Sequence, residues 1–275
     1  MTASPLFTND LLIYGGGYYH IGEGHQEFLP HKSLDEDYYV LILAAIAMEL
    51  AVEGLTDASV YLAVGLPLTW TVGQKEAFAA YLSRYSEVAF TFRKTDYRVR
   101  IVGVSVYPQG YAAIAPIKGQ MTGVCMVADV GNGTMNILYL VNGKPQSGKM
   151  FTEKIGVYQC TLAVREAFLR QTRRELNDAI IDEVLCTGTA NIDAEDLAII
   201  QATAAAYVDE LFRRLREHGY DKRTMTLWIT GGGGCLVKHF CQVDPQRVRF
   251  VEDICAAAKG YEYLAGIQIK AGRTG

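Results

Sequence analysis

Apolar residues recur along this chain with two different periods, and the alternation of the two predicts an α/β protein. Residues 59–65 form a β-branched and apolar stretch that ends at Gly65 and Pro67. Residues 71–84 then carry aromatic and aliphatic side chains at helical spacing. A strand, a loop and a helix in this order form one unit of an α/β fold.

The first 116 residues indicate more strands and one long helix. Residues 11–21 predict a hairpin around Gly15–Gly17, because glycine supplies the positive φ that tight turns need. Ser33 and Glu36 match a capping box, and a buried helix is predicted from there to Val52. Two paired antiparallel strands are predicted at residues 87–92 and 97–106.

The second half repeats the pattern. A meander of three strands is predicted at residues 124–130, 135–141 and 146–152, followed by helices at 156–171 and 193–217, a buried strand at 225–230 and a final helix at 255–266. These two similar halves predict two lobes, residues 1–116 and 117–252. Residues 253–275 are predicted to form a C-terminal helix that packs back towards the first lobe.

Composition narrows the function classes. Half of the 275 residues are apolar, enough for one large core or two modest ones. A net charge of -4 gives no basic field for a nucleic-acid backbone, so direct DNA binding is disfavoured. The six cysteines lack the spacing of a zinc site and are predicted to be reduced core thiols. Without a signal sequence or a membrane-spanning stretch, a cytoplasmic protein is expected.

Residues 127–136 place a carboxylate at a strand end, then a glycine turn with a hydroxyl, then another strand. Glycines let backbone amides approach phosphate oxygens as an anion-binding nest, and Asp129 can hold magnesium, usually through water. Thr134 can donate a hydrogen bond to a phosphate. The alternative interpretation is an ordinary hairpin with Asn132-Gly133 at its tip and Asp129 as a cap.

Four consecutive glycines, Gly231–Gly234, lie between a buried strand and a helix. Close backbone approach and a helix N-terminus favour an anion or a flat ring at such a place. A flexible turn is the alternative, but ordering each glycine costs about 0.5–1 kcal/mol relative to alanine. A ligand or a packing requirement is therefore the favoured explanation.

One segment has the spacing of a nucleotide-binding motif but is not interpreted as one. Residues 143–149 have the glycine and lysine spacing of a P-loop, but Met150 stands where that motif needs a magnesium-binding Ser or Thr. The residues after it are strand-like. A hairpin is predicted there instead.

Four segments together resemble the ParM/StbA family of actin-like plasmid-partition ATPases. They are residues 62–68, 108–111, 129–134 and 229–234, and their order and spacing also agree with that family. The resemblance extends from about Asp10 to Lys270. It includes residues 253–261, which are similar to the family's final helix.

The resemblance implies an actin-like fold with two ribonuclease H-like lobes around a cleft for ATP (or GTP) and magnesium. It further implies assembly into filaments that move plasmid copies apart, with hydrolysis controlling filament dynamics. The expected partners are other copies of the chain, joined by heterologous contacts, and a plasmid-encoded DNA-binding adaptor protein. Direct binding to nucleic acid or to a membrane is not expected.

The resemblance also implies residue roles. Asp129 would organise magnesium, and Gln109 would orient the attacking water, since an amide cannot act as a strong base. A helix-start role after Pro108 is the alternative for Gln109. The nucleotide-binding residues implied by the same positions are Gly131, Asn132, Gly133, Thr134, Gly156, Gly231, Gly232, Gly233 and Gly234. For Gly156, a plain helix-start glycine is the alternative.

The resemblance leaves one family feature unmatched. Actin-like folds begin with a strand that ends in an Asp and a glycine-rich turn, the first phosphate loop, and no segment here matches it. The first lobe is therefore expected to be N-terminally incomplete. Because phosphoryl transfer depends on charge stabilisation by such groups, weak or absent ATPase activity is expected.

Two other functions stay open at this point. A scaffold of the same fold that no longer hydrolyses nucleotide fits the unmatched first loop. A small-molecule kinase shares the superfold, but it needs a catalytic Asp in a substrate cleft, and the sequence shows none.

Overall fold

The computed structural model describes residues 10–22 and 36–273. These residues form two five-stranded sheets and eight α-helices. The strands are β1 (Leu11–Tyr14), β2 (Gly17–His20), β3 (Asp57–Leu66), β4 (Glu87–Phe92), β5 (Thr95–Pro108), β6 (Val124–Val130), β7 (Met135–Val141), β8 (Lys144–Glu153), β9 (Thr226–Thr230) and β10 (Val248–Phe250). The helices are α1 (Glu36–Val52), α2 (Thr71–Leu82), α3 (Tyr111–Ile114), α4 (Val157–Thr172), α5 (Asp178–Thr187), α6 (Ala194–Glu217), α7 (Gly234–Phe240) and α8 (Ala256–Arg273).

The described chain divides into two compact units. The first contains the chain up to Val64 together with Val72–Val106, and the second contains Gly65–Thr71 together with the chain from Tyr107 onward. The lobe boundaries inferred from the sequence, at residues 116 and 252, stay predictions. Ser33 of the predicted capping box lies outside the described residues.

The first unit is built on a sheet with the order β2-β1-β4-β5-β3. In β4, Val88, Phe90 and Phe92 are buried and alternate with more exposed positions, as expected for a sheet with one covered face. Helix α1 packs against β1 and β4. Its buried residues include Tyr39 and Leu43, one turn apart, so one face of the predicted buried helix carries the contact.

The second unit is built on a sheet with the order β10-β9-β6-β7-β8. Strands β6, β7 and β8 form the predicted antiparallel meander, and β9 and β10 continue it in parallel from β6. The β7–β8 connection is a tight turn with positive φ at Asn142 and Gly143. The rejected P-loop segment is therefore a hairpin, as predicted.

Both faces of this second sheet are covered. Met126, Ala128 and Val130 of β6 face a large apolar cluster with residues of α4, α5, α6 and α7. Cys125 and Val127, with the opposite parity, face a smaller cluster that includes Leu68, Ile114 and Met121. Burial on both faces explains why β6 is an almost continuous apolar run.

Two details differ from the sequence-based predictions. The final helix continues to Arg273, beyond the predicted end at Gly266, because a single glycine costs a helix only about 1 kcal/mol and does not have to end it. The six cysteines are free, but only Cys125 and Cys160 are buried. The prediction of core thiols was wrong for Cys186 and Cys255, which are exposed at a helix end and before a helix.

Within the described residues, no helix combines the length and the apolar character that crossing a bilayer requires.

Candidate functional site

Three polar side chains lie side by side at one end of the second sheet, at the carboxyl ends of β6 and β9 and at the amino end of β7. Asp129 of β6 is paired in register with Asn136 of β7 on one side and with Thr230 of β9 on the other. Because paired residues point to the same face of a sheet, all three side chains lie on the face that carries Cys125 and Val127. All three are buried.

Asp129 is an acidic group in an unusual environment. Its side chain is 8% exposed, and burial raises its pKa to about 6 because a charged carboxylate loses its hydration there. Hydrogen bonds from the Asn136 side chain and from the Gly110 backbone amide act in the opposite direction and stabilise the charged form. The strand end therefore holds one carboxyl group that titrates close to neutral pH.

Asn136 fixes Asp129 and two other segments at once. Its Oδ1 accepts hydrogen bonds from the Leu68 backbone amide at 3.0 Å and from the Thr152 hydroxyl at 2.9 Å. Its side-chain amide is thus left to donate to Asp129. Asn136 was not among the predicted site residues. The signal that could have found it is a polar residue on a buried strand, at a position where the alternation points it to the same face as Asp129.

The β6–β7 turn, residues 131–134, is closed by its own backbone and by α4. The Gly131 amide donates to the Thr134 carbonyl at 2.9 Å. The Gly131 and Asn132 carbonyls accept hydrogen bonds from the first amides of α4, those of Val157 and Tyr158, at 3.0 and 2.9 Å. Within residues 10–22 and 36–273, the amides of Asn132 and Gly133 have no acceptor. These hydrogen bonds hold the turn in place, and its free amides can receive an anion.

Gly156 is required by close packing against this turn. A Cβ there would lie 2.4 Å from the Asn132 carbonyl oxygen and 2.7 Å from that of Gly131. Its φ of -153° is ordinary extended backbone, so the reason for glycine is space. Its carbonyl accepts a hydrogen bond from the Tyr207 hydroxyl at 2.6 Å. Gly156 lies at the site and supports the turn from outside.

The glycine run after β9 packs on the other side of β6. A Cβ on Gly231 would lie 2.7 Å from the Asp129 carboxylate oxygen Oδ1, and Gly231 also has a positive φ of 84°. A Cβ on Gly233 would lie 2.3 Å from Cγ1 of Val130, whose carbonyl accepts the Gly233 amide at 2.9 Å. Gly232 is exposed, and a Cβ there meets nothing within 4 Å. The run is thus a packed turn with one open position, and it leads into α7 at Gly234.

A backbone hydrogen bond positions Gln109 next to the site. Its amide donates to the Leu66 carbonyl at 2.8 Å, and it precedes Gly110, the residue whose amide reaches Asp129. A Cβ on Gly110 would lie 2.8 Å from Cδ1 of Leu138 and 3.4 Å from Cβ of Asp129. The side chain of Gln109 is half-buried and has no hydrogen bond to the described residues.

Thr134 and Thr230 have different surroundings. Thr134 is buried at the end of the β6–β7 turn, where its carbonyl accepts the Gly131 amide. The Thr230 hydroxyl is fully buried, at 1% exposure of the residue, and has no hydrogen-bond partner in the described part of the chain. A buried hydroxyl without a partner costs stability, so a group that completes its hydrogen bonding would be bound favourably.

The chemistry available here is that of an anion site beside a single carboxyl group. The two glycine turns contain no basic residue, so an anion would be held by backbone amides. No group of three or more potential metal ligands occurs among the described residues. Magnesium with one protein carboxylate is a common arrangement when phosphates and water supply the remaining ligands.

Comparisons with known proteins address the fold. Residues 4–111 match the family described as "Actin like proteins N terminal domain". A comparison with curated proteins found no significant match.

Among solved structures, the archaeal actin homolog Ta0583 in complex with ADP is 18% identical, with a TM-score of 0.69 over 94% of this chain and 89% of that chain. Bacillus thuringiensis ParM with ATP is 11% identical, with a TM-score of 0.63 over 90% and 78%. The Alp12 filament structure is 17% identical, with a TM-score of 0.58 over 94% and 84%. The fold is actin-like, which confirms the predicted fold class.

Proposed function

We propose that this chain is an actin-like protein that binds ATP (or GTP) with magnesium and polymerises into filaments for plasmid partition. The observation that carries the proposal is the group of glycines around Asp129, namely Gly156, Gly231 and Gly233. Side chains added at these positions would collide with the β6–β7 turn, with Asp129 or with Val130. At these positions the backbone, and not a side chain, faces the ligand.

The phosphates would be bound by the β6–β7 turn. The free amides of Asn132 and Gly133 point to that role, and the Thr134 hydroxyl can add a hydrogen bond. The glycine run Gly231–Gly234 would line the adenosine, because its open position at Gly232 allows a flat ring to approach the backbone. Gly156 would act indirectly by holding α4 against the turn.

Asp129 would take part through magnesium. Because its pKa is about 6, the carboxylate is ionised in most molecules at a pH above that value. A bound cation would favour the ionised form further. Asn136 would keep the carboxylate in position, because its own oxygen is already occupied by Leu68 and Thr152. Gln109 would orient water at the same site.

Hydrolysis is proposed to be weak. The contacts described above bring one carboxylate, Asp129, to the site, and no basic side chain lies in either glycine turn. Stabilising the charge that develops during phosphoryl transfer usually needs more groups than this. Nucleotide binding would then control filament assembly more than turnover does.

Filament formation is supported by the fold that the chain shares with the Alp12 filament structure. Head-to-tail contacts would join two different surfaces of neighbouring copies, because only such heterologous contacts extend indefinitely. The net charge of -4 favours contact with plasmid DNA through an adaptor protein that itself binds DNA.

The proposal is tested by calorimetric titration of Mg·ATP and Mg·GTP into the full chain, followed by sedimentation of the same samples. Wild type is expected to bind and to form pelletable polymer, and Asp129→Ala is expected to lose both. Asp182→Ala, which removes an exposed carboxylate of α5, is the matched control and is expected to behave as wild type.

The outcomes separate the alternatives. Binding and pelleting without phosphate release would identify a non-hydrolysing scaffold. Binding without pelleting, with phosphate transfer to a small molecule, would identify a kinase of the same superfold. A folded protein that binds neither nucleotide would contradict the proposal.

A further inference from the structure

A cavity lies at the end of the second sheet opposite to Asp129. Its volume is about 860 Å³, and it is bounded by the C-terminal half of α6 and by the segments that precede β9 and β10. Because β6, β9 and β10 run in parallel, these segments lie at the amino ends of the strands, away from Asp129. The volume falls within the range of about 300–1,000 Å³ that is typical of small-molecule sites.

Four cationic side chains line this cavity without a direct ion pair to a carboxylate of the described residues. They are Arg216, Lys222, Arg223 and Arg247. None of the four forms an ion pair or a side-chain hydrogen bond with the described residues. By contrast, Arg213 and Arg214 on the same helix as Arg216 are both paired with Glu210.

The three aspartates that also line the cavity do not neutralise these cations by direct contact. Asp221 accepts hydrogen bonds from the Arg223 amide and the Thr224 hydroxyl, both at 2.9 Å. These bonds, together with the nearby charges of Arg223 and Arg247, hold the pKa of Asp221 below its ordinary value. Asp244 accepts the Gln246 amide at 2.8 Å, so both carboxylates stabilise turns. Asp209 is exposed on α6.

Tyr220 adds a free hydroxyl to the cavity. The residue lines the cavity, and its hydroxyl is open to the cavity and has no hydrogen-bond partner in the part of the chain that the structure describes. Burial raises the pKa of this hydroxyl, and the charge of nearby Arg247 opposes the increase. A hydroxyl that has no protein partner and lies beside an arginine is suited to an anionic acceptor.

The wall of the cavity is partly apolar. Phe212 packs its ring against that of Tyr220, with centroids 6.4 Å apart, and Val243 and Val248 complete this side. Arginine guanidinium groups bind phosphate or carboxylate with two parallel hydrogen bonds and also stack on flat rings. A ligand that joins an anionic group to an aromatic ring would use both parts of the wall.

We propose that this cavity is a second binding site, which takes a small aromatic anion carrying a phosphate or carboxylate group. Arg247 and Tyr220 bind the anionic group, and Phe212 with its valine neighbours contacts the ring. Arg216, Lys222 and Arg223 supply the surrounding positive potential. The site is separate from the proposed nucleotide site and does not depend on it.

The test uses 1-naphthyl phosphate as a fluorescent probe, titrated into the full chain with and without saturating Mg·ATP. Saturable binding with a Kd below about 1 mM, unchanged by Mg·ATP, is expected. Arg247→Gln is expected to weaken binding at least about tenfold, the effect of losing a charge-assisted pair. Tyr220→Phe, which removes only the hydroxyl, is expected to weaken it about threefold.

Arg249→Gln is the matched control. Arg249 is an exposed arginine of β10, two residues from Arg247, and does not line the cavity. This substitution makes the same change in net charge and should alter the Kd less than about twofold. Equal weakening by both variants would show non-specific attraction and would overturn the proposal.

Two further ligands test the chemistry. Neutral 1-naphthol and inorganic phosphate are each expected to bind at least about tenfold more weakly than 1-naphthyl phosphate, because each lacks one half of the ligand. Inorganic phosphate that binds as tightly as the probe, or a probe that does not saturate below about 10 mM, would overturn the assignment. Competition by Mg·ATP would place the probe in the other site and would also overturn it.

Discussion

The two ends of the second sheet differ in the groups that are proposed to bind an anion. At the carboxyl ends of the strands, glycines bring free amides around a buried carboxyl group, and the two turns contain no basic residue. At the amino ends, four cations that form no direct ion pair with the described residues line a cavity with an aromatic and aliphatic wall. Backbone dipoles depend on an exact chain path, whereas side-chain charges tolerate a looser one. The first end should therefore be sensitive to packing and the second to charge and salt.

The sharpest test of this contrast is Gly156→Ala. The new methyl group would lie 2.4 Å from the Asn132 carbonyl oxygen, so either α4 or the β6–β7 turn must move. We expect a loss of about 2–3 kcal/mol in the free energy of unfolding, as for overpacked cores. Urea unfolding measures it. Gly232→Ala, which meets nothing within 4 Å, is the control and should change stability by less than about 0.5 kcal/mol. Similar losses for both variants would mean that the glycine end is not tightly packed.

Asp129→Asn tests the buried carboxyl group through pH. Its pKa in the folded protein is about 6, above the ordinary value of 3.8, so folding favours the protonated form. That stability is fully present below about pH 3.8 and is lost as the pH rises through 6. Between pH 4 and pH 8, wild type should therefore lose about 2–3 kcal/mol of stability relative to Asp129→Asn.

Thermal unfolding of both proteins at several pH values, without nucleotide, measures this difference. Asp182→Asn, an exposed carboxylate of α5, should run parallel to wild type across the same range. A stability difference between wild type and Asp129→Asn that does not change with pH would show that the carboxyl group is ionised without penalty in the folded protein.

Salt should separate the two anion sites. Raising the salt concentration from about 50 to about 300 mM shortens the Debye length, so binding of 1-naphthyl phosphate at the cationic cavity should weaken about three- to tenfold. Mg·ATP binding at the glycine end should weaken less, because its proposed contacts are backbone amides and not side-chain charges. Calorimetry at both salt concentrations gives the ratio. Equal salt dependence would remove the distinction between the two ends.

Thr230→Val is expected to have the smallest effect. The two side chains are similar in shape, and the Thr230 hydroxyl has no partner to lose among the described residues. Stability without nucleotide should stay the same or rise by up to about 1 kcal/mol. Thr152→Val is the matched control, since its hydroxyl donates to Asn136 at 2.9 Å and its loss should cost about 1 kcal/mol. Destabilisation by Thr230→Val as large as that of the control would show that the hydroxyl has a partner in solution.

The secondary structure followed closely from local patterns. The meander of β6, β7 and β8 was predictable because a continuous apolar run, an alternating run and an Asn-Gly turn each specify their own backbone. The same local logic identified Asp129 and the two glycine turns, since glycine is informative wherever the chain must turn or approach closely. The prediction that α8 ends at Gly266 was wrong, because a single glycine does not have to end a helix, and a Cβ at this position would meet nothing within 4 Å.

The sequence by itself determined the α/β class, the glycine turns and the carboxylate between them, because periodicity and turn chemistry act over a few residues. The actin-like fold was implied by the resemblance of four segments to a known family. Only the tertiary structure decided that Asn136 joins Asp129 to Leu68 and Thr152, and that Gly156 is needed for space. The cationic cavity likewise exists only where α6 meets the segments before β9 and β10. Such groups are distant in the chain, and whether a buried polar atom is paired depends on which strands and loops the fold brings within hydrogen-bond distance.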